Sequence, residues 1–478
     1  MNGMTLHQRR HFLLQSGFSI SGIALAWLLQ RDQVYAEPPK PKLQPDLFDL
    51  RPKPTVRPPR AKAMISMFMQ GGPSQVDLFD PKIELTKQHM QTYSGEIKYD
   101  NAAEASSKLF ASPWRFQRYG ECGMELSELI PCLGEVADDI CMIRSMQTGV
   151  NNHGQSINAM NTGNIGGGRP SLGSWFSYAL GSECDNLPAF VVLTDPTGLP
   201  VLGVDNWNNG WLPSLYQGTV ARSQEPRILH LDTPPKLAKA NQREFLDFLQ
   251  SINRDQLNRH PGEHDLEARI QSYELAAKMQ SSAKEAFDLT QETAATHRMY
   301  GLDDPKTKEY GSRCLIARRL VERGVRFVQI HTGNQTWDHH NNIGKLLPAV
   351  CERTDRGAAA LVRDLKQRGM LDETLIHWGG EMGRLPVIEN EKNIGRDHNT
   401  YGFSMWLAGG GIRAGHVHGA TDEIGHRAAV DVVHHYDYHA TLQHLFGIDP
   451  KSLAFQRPAG TGKLIENEQS RVVTEILA

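Results

Sequence analysis

CLIARRLVERGVRFVQIH (residues 314–331) sets the architecture, because it reads as a helix that stops at Gly324 and a hydrophobic strand that follows at once. AAALVRDLKQRG (358–369), followed by TLIHWGG (374–380), repeats the alternation. Working back towards the start of the chain, AKAMISMFMQGGPSQVDLFDPK (61–82) opens as a strand and breaks at Gly71-Gly72-Pro73, where glycine permits a tight strand-to-loop turn. Consecutive helix and strand signals predict an α/β chain with a mostly parallel sheet covered by helices. In such a sheet, polar residues that follow strands gather at one edge, where ligands bind. Trp337-Asp338-His339-His340 follows VRFVQIH, Glu381 follows TLIHWGG, and Arg396-Asp397-His398-Asn399 precedes FSMWLAGGG. Oxygen and imidazole donors on several such loops suit a divalent ion such as zinc or manganese.

The first residues, MNGMTLHQRRHFLLQSG, place Arg9-Arg10 ahead of an apolar stretch from Phe18 to Leu29, and Val34-Tyr35-Ala36 resembles a cleavage site. This reads as a twin-arginine signal peptide over 1–36, with the export machinery as a partner and a periplasmic or secreted destination. The apolar run falls short of the roughly 20 residues that span a bilayer, so no stable span is expected after cleavage. Residues 37–60 are too rich in proline for a helix or central strand and read as an extended arm. The rest, 61–478, is long enough for a substantial core without disulfides, with possible insertions at 90–120 and 196–300. Within the latter, 236–300 carries apolar positions at helical spacing, which predicts packing helices.

The net charge of −3 becomes −5 once three arginines and one aspartate leave with 1–36, and no dense basic patch remains. Nucleic acid is therefore not an expected partner. The six cysteines contain no CxxC pair, which argues against a redox dithiol or a zinc ribbon. Cys122, Cys132 and Cys141 could supply one disulfide or stay buried thiols. Neither a GxSxG elbow nor a GxGxxG opening a βαβ unit is present, so serine-hydrolase and nicotinamide readings are weak.

Each candidate has a plainer alternative. Asp338, His339 and His340 are adjacent and cannot all point one way, so one or two would ligate while another supplies a hydrogen bond from behind; alternatively Asp338 caps a helix. Glu381 is either a ligand or the partner of Arg384. His398 is the better ligand of its pair, and Arg396 or Arg384 could clamp an anion. His153, Gln155 and Ser156 stand near a helix start, where free N–H groups favour an anion. His435 and His439 are four apart but lie in HHYDYHATLQHLFG, which reads as a core-packing helix. The Trp207–Trp211 loop could stack on a sugar, or its tryptophans could pack in the core.

QRRHFLL, MQGGPSQVDLFDPK, NNHGQSINAMNTG, CLIARRLVERGVRFVQIHTG, WDHH, GGEMGRLP, GRDHN and LAGGGIRAGHVHGATDEIG together resemble the DUF1501 family, exported bacterial proteins of planctomycete type. That family is in turn similar to the alkaline phosphatase and sulfatase superfamily. The resemblance implies a three-layer α/β sandwich around a divalent metal site (zinc, manganese or calcium) acting on an anionic ester or sulfated glycan. It implies Asp77, with Asp80 in reserve, as a metal-binding aspartate. It further implies Asp338 with His339 as an acid–histidine pair, Glu381 in place of an aspartate, and His398 as the last metal-binding histidine. Met382 stands where the superfamily has a histidine beside that aspartate. The sulfatase nucleophile segment is absent, and its position falls on His153, near Ser156. The implied roles are His153 as base or nucleophile, Ser156 as reserve, and Arg396 as an anion clamp in a secreted metal-dependent hydrolase. The alternative is a non-catalytic metal-containing binding or structural protein, with a glycan as the candidate ligand.

Overall fold

The computed structural model describes residues 48–97, 106–229, 231, 239–259, 264–457 and 459–478. The expected signal peptide and residues 37–47 of the arm lie outside these. One compact unit, made of Leu47–Ser251 and His264–Ala478, holds the main sheet and the site described below; in the other, Met1–Asp46 with Ile252–Glu263, the described residues 252–259 are helical.

The strands of the main sheet are β1 (Ala63–Phe68), β2 (Ile140–Gln147), β3 (Phe190–Leu193), β4 (Thr219–Ala221), β5 (Phe327–His331), β6 (Thr374–Gly379), β7 (Phe403–Ala408), β8 (His416–His418) and β9 (Val433–His434). Their order is β8-β2-β7-β6-β1-β5-β3-β4, with β9 also on β2. β1 pairs parallel with β5 and β6, and Phe68 is in register with both His331 and Gly379, so the three strands end level. Among the described strands of this sheet, β7 alone runs antiparallel to its neighbours, β2 and β6. The sheet is thus mixed and mostly parallel, as the alternation in the sequence predicts.

The longer helices are α1 (His153–Thr162), α2 (Leu172–Leu180), α3 (Lys239–Arg259), α4 (His264–Phe287), α5 (Lys308–Glu322), α6 (Ile343–Gln367) and α7 (His435–Leu445). Successive side chains of a strand point to opposite faces, and β1 divides accordingly. Ile65 and Met67 join a core with Cys314 and Leu315 of α5 and Leu347 and Leu361 of α6. Met64 and Phe68 join a second core with Ile157 of α1, Phe176 of α2 and Leu442 of α7. This is the α/β sandwich, with both sheet faces covered, and it explains why every residue of β1 and β6 is buried. Gly324, at +88°, ends the helix signal just beyond α5.

Residues 48–60 contain neither helix nor strand. Their backbone N–H groups donate from Lys53 to Leu180, from Val56 to Gly447 and from Arg60 to Leu445. In the region read as a first insertion, the strand Phe116–Tyr119 pairs antiparallel with Met124–Ser127. The 196–300 region holds β4, α3 and α4. All six cysteines are free thiols. No helix among the described residues is long and apolar enough to cross a membrane.

Candidate metal centre

Parallel strands that end level deliver their following loops to one edge. β1 leads into Gln70-Gly71-Gly72, β5 into Trp337–His340, β6 into Glu381, and β2 into the turn before α1. The antiparallel β7 starts at that same edge, which brings His398, five residues ahead of it, to the others. The β1 turn needs its glycines. Gly71 sits at φ +111°, and a Cβ there would lie 2.6 Å from the Asp338 backbone nitrogen, so a side chain would push the β1 turn away from the loop that carries Asp338 and His340.

His153, Asp338, His340 and His398 converge, with one donor atom from each lying within 4.8 Å of all the others. His153 Nε2 is 3.3 Å from Asp338 Oδ2. His340 Nε2 is 2.9 Å and His398 Nε2 3.4 Å from Asp338 Oδ1. The two imidazole nitrogens, His340 Nε2 and His398 Nε2, are 3.0 Å apart. Metal–nitrogen and metal–oxygen bonds of 2.0–2.2 Å in a tetrahedron put neighbouring donors about 3.3 Å apart, so these spacings fit one small ion. Three imidazoles and one carboxylate favour zinc or manganese over calcium, which takes oxygen ligands.

His153 is the first residue of α1, whose start is capped by Asn152 Oδ1 accepting from the Gln155 N–H at 3.2 Å. Its Nδ1 lies 2.7 Å from Glu381 Oε1, which also accepts the Gly71 N–H at 3.0 Å. Glu381 is wholly buried, and its Oε2 has no hydrogen-bond partner. An orphaned buried carboxylate oxygen is costly in a metal-free chain, which again fits a site built for a cation. Arg384 is buried too. It donates to Asp338 Oδ1 and to the carbonyls of Gly71, Gly72 and Arg396.

The electrostatics follow from burial and these contacts. Burial pulls the His153 pKa down, but hydrogen bonds to Asp338 and Glu381 raise it to about 9 overall. His340 is likewise raised to about 9 by Asp338 and Glu389 against the pull of burial. In His398 burial dominates and lowers the pKa. Burial would raise Asp338, yet Arg384 and the three histidines hold it far below the usual carboxylate range. The metal-free cluster therefore stores protons on His153 and His340 that a cation would replace.

Of the eight residues singled out from the sequence, His153, Asp338 and His398 stand in this cluster, and Glu381 stands directly behind His153. Asp77 does not join them. Both of its oxygens are held by Arg396, at 2.7 Å to Nε and 2.9 Å to Nη2, and Ser74 Oγ donates at 2.5 Å. The Arg396 guanidinium is committed to that pair, lies 4.6 Å from the centre of the Phe110 ring, and is fully buried. His339 is not among the converging donors; its ring meets the Thr336 backbone, and burial followed by Arg384 lowers its pKa to about 4. Ser156 Oγ donates to the Val150 carbonyl, with Thr148 Oγ1 3.4 Å away. Asp80 is paired with Lys82 at 3.0 Å. His439 lies in the core, with Nε2 3.0 Å from the Ala159 carbonyl. Trp207 is buried against His331, and the Arg169 and Arg457 guanidiniums lie 4.9 and 4.2 Å from the Trp211 ring centre, which leaves little indole face for a sugar.

Sequence reasoning favoured His339 over His340. Asp338, His339 and His340 lie outside any strand, so no alternation of neighbouring side chains marks His340 as the histidine that joins Asp338. Glu389, 2.6 Å from His340 Nδ1, went unnoticed in VIENEKN, where nothing distinguishes it from its exposed neighbours.

No curated protein matches the chain. Among solved structures it is similar to the phosphonate monoester hydrolase SpPMH from Silicibacter pomeroyi (10% identity, 87% of this chain and 76% of that one, TM-score 0.35). It is also similar to the PsFucS1 sulfatase from Pseudoalteromonas sp. (13%, 81% and 68%, 0.33) and to the alkaline phosphatase of the Antarctic bacterium TAB5 (9%, 74% and 92%, 0.28). Residues 61–477 match the family described as "Protein of unknown function (DUF1501)", and the chain belongs to that family.

Proposed function

We propose that this chain is a metal-dependent hydrolase of a phosphate or sulfate ester, exported by the twin-arginine route. The observation that carries the reading is the convergence of His153, Asp338, His340 and His398 at spacings suited to one ion. The ester class rests on the motif resemblance to the phosphatase and sulfatase superfamily, and the export route on residues 1–36. When bound, a divalent ion would polarise an ester oxygen and lower the pKa of water. The residues do the rest. Asp338 and the three imidazole nitrogens hold the ion, Arg384 offsets the charge of Asp338, and Glu381 orients His153 through Nδ1. Ser156 Oγ is turned onto a backbone carbonyl, so water rather than that hydroxyl is the nucleophile in this reading.

One observation favours a second reading, a structural metal. The four donors already complete a tetrahedral set, and closed sets of this kind are typical of structural zinc. His340 nevertheless has 31% of its side chain exposed, against 10% or less for the other three, which leaves an approach from solvent on its side. Elemental analysis of the purified chain, followed by aryl phosphate and aryl sulfate hydrolysis beside an Asp338→Asn variant, tests both. About one equivalent of metal with hydrolysis that the variant lacks supports the enzyme. Tightly held metal that admits no exchangeable water supports the structural reading, and a folded chain that binds no added metal removes both.

A further inference from the structure

We propose that Glu389 is a positioning residue for this centre: by accepting the Nδ1 proton of His340 it fixes the imidazole in the tautomer and orientation that turn Nε2 towards the ion. The inference rests on the metal reading above. His340 is the most exposed of the four donors, so packing restrains it least, and an imidazole free to rotate offers either nitrogen. Glu389 removes that freedom. Its carboxylate is 96% buried on the loop between Leu385 and Arg396, and Oε2 lies 2.6 Å from His340 Nδ1.

The loop is fixed independently of this contact. The Glu389 N–H donates to the Gly395 carbonyl at 3.1 Å, that of Ile388 to Lys108 at 3.0 Å, that of Ile343 to Ile394 at 3.0 Å, and that of Arg396 to His339 at 3.0 Å. The carboxylate therefore holds the histidine, not the reverse. The arrangement also occurs a second time in the cluster, where Glu381 meets His153 Nδ1 at 2.7 Å while Nε2 faces Asp338. Metal-bound histidines generally donate their other N–H to a carboxylate or carbonyl.

His340, Glu389 and Asp397 also lie close enough together to raise a second ion as the alternative. The geometry points the other way. Two donors on one small ion stand about 3.3 Å apart, whereas 2.6 Å between Nδ1 and Oε2 is the length of a hydrogen bond to a carboxylate. Asp397 Oδ1 already accepts the His398 N–H at 2.7 Å.

Zinc alone is the probe, on the full chain. Glu389→Leu should weaken zinc about 10- to 100-fold in competition with a chelator. Glu389→Gln keeps an acceptor for the Nδ1 proton and should lose less than about tenfold, and Glu391→Gln, an exposed change on the same loop, should lose nothing. Imidazole nitrogen NMR of the zinc-loaded protein should show His340 bound through Nε2 with Nδ1 protonated. The Gln variant preserves volume, so it and the spectrum decide the matter even where the Leu variant fails to fold. Zinc on His340 Nδ1, or a Leu variant that binds like the parent, overturns the proposal. So does the loss of one of two zinc equivalents in the Gln variant, which would make Glu389 a ligand. A parent protein that binds no zinc removes the metal reading itself, and this proposal with it.

Discussion

Asp77 and Asp338 both follow strands of the same sheet at the same edge, and both lie beside an arginine, yet the structure gives them opposite fates. Asp77 and Arg396 are fully buried and matched oxygen to nitrogen, so the pair is complete. Asp338 shares one oxygen with Arg384, and its remaining contacts are imidazole nitrogens that could exchange a proton for a metal bond. A buried acid serves a cation only while its oxygens remain uncommitted, and the number of carboxylates near a site does not reveal this.

The largest effect should come from breaking the sealed pair. Arg396→Met leaves Asp77 as a buried charge with no cation beside it and only the Ser74 hydroxyl as a side-chain donor, which costs about 3–5 kcal/mol. Denaturant titration should show that loss in full. Asp77→Leu combined with Arg396→Met should recover much of it, because apolar replacement of a whole buried pair is often close to neutral. If Asp77 is a metal ligand after all, Asp77→Leu in the double variant will also abolish metal binding, and Asp77 then belongs with Asp338 in the site.

Changes in the open cluster should behave differently. His398→Ala removes one of four donors, so zinc should no longer stabilise the fold. At a hundred times the parent's dissociation constant that stabilisation is about 2.7 kcal/mol. Melting each protein with and without zinc reads it directly, and an unchanged zinc response in His398→Ala would place the ion elsewhere.

A smaller, pH-dependent effect should appear in the metal-free parent. His153 and His340 have folded pKa values raised to about 9 from an ordinary value near 6.5. The stability they contribute is fully present below about pH 6.5 and is lost as pH rises through about 9. Most of this change should come from His153, which is buried, because the partial exposure of His340 discounts its share. Over the same interval zinc should bind more tightly, since fewer protons have to leave. Stability that instead rises between pH 6.5 and 9 would mean that the two histidines are not held as cations.

The fold was legible because helix and strand signals alternate over short distances. CLIARRLVERGVRFVQIH gives the C-terminal part of α5 and all of β5, although α5 begins six residues earlier at Lys308, and TLIHWGG gives β6. The site was legible only in part. His153, Asp338 and His398 stand at strand ends that local pattern can find. Which of His339 and His340 faces inward depends on how the loop after β5 packs under Leu385–Arg396, and the commitment of Asp77 to Arg396 spans more than three hundred residues. Long-range pairing of this kind leaves no periodic trace, so the motif resemblance to metal-binding superfamily members placed Asp77 among ligands while the folded chain pairs it with arginine.

Ser156 provides the mildest test of the difference between a residue near the site and a residue in it. Its hydroxyl donates to the Val150 carbonyl in the turn that leads to His153, so its role on this geometry is to shape that turn. Ser156→Ala should cost about 1 kcal/mol, the usual net value of one such hydrogen bond. Zinc affinity should stay within about twofold, because His153 remains anchored by Glu381 Oε1 and by its place at the start of α1. Equilibrium unfolding and chelator competition on the same sample separate the two quantities. A large loss of zinc with little loss of stability would put the hydroxyl inside the coordination sphere and return Ser156 to the working part of the site.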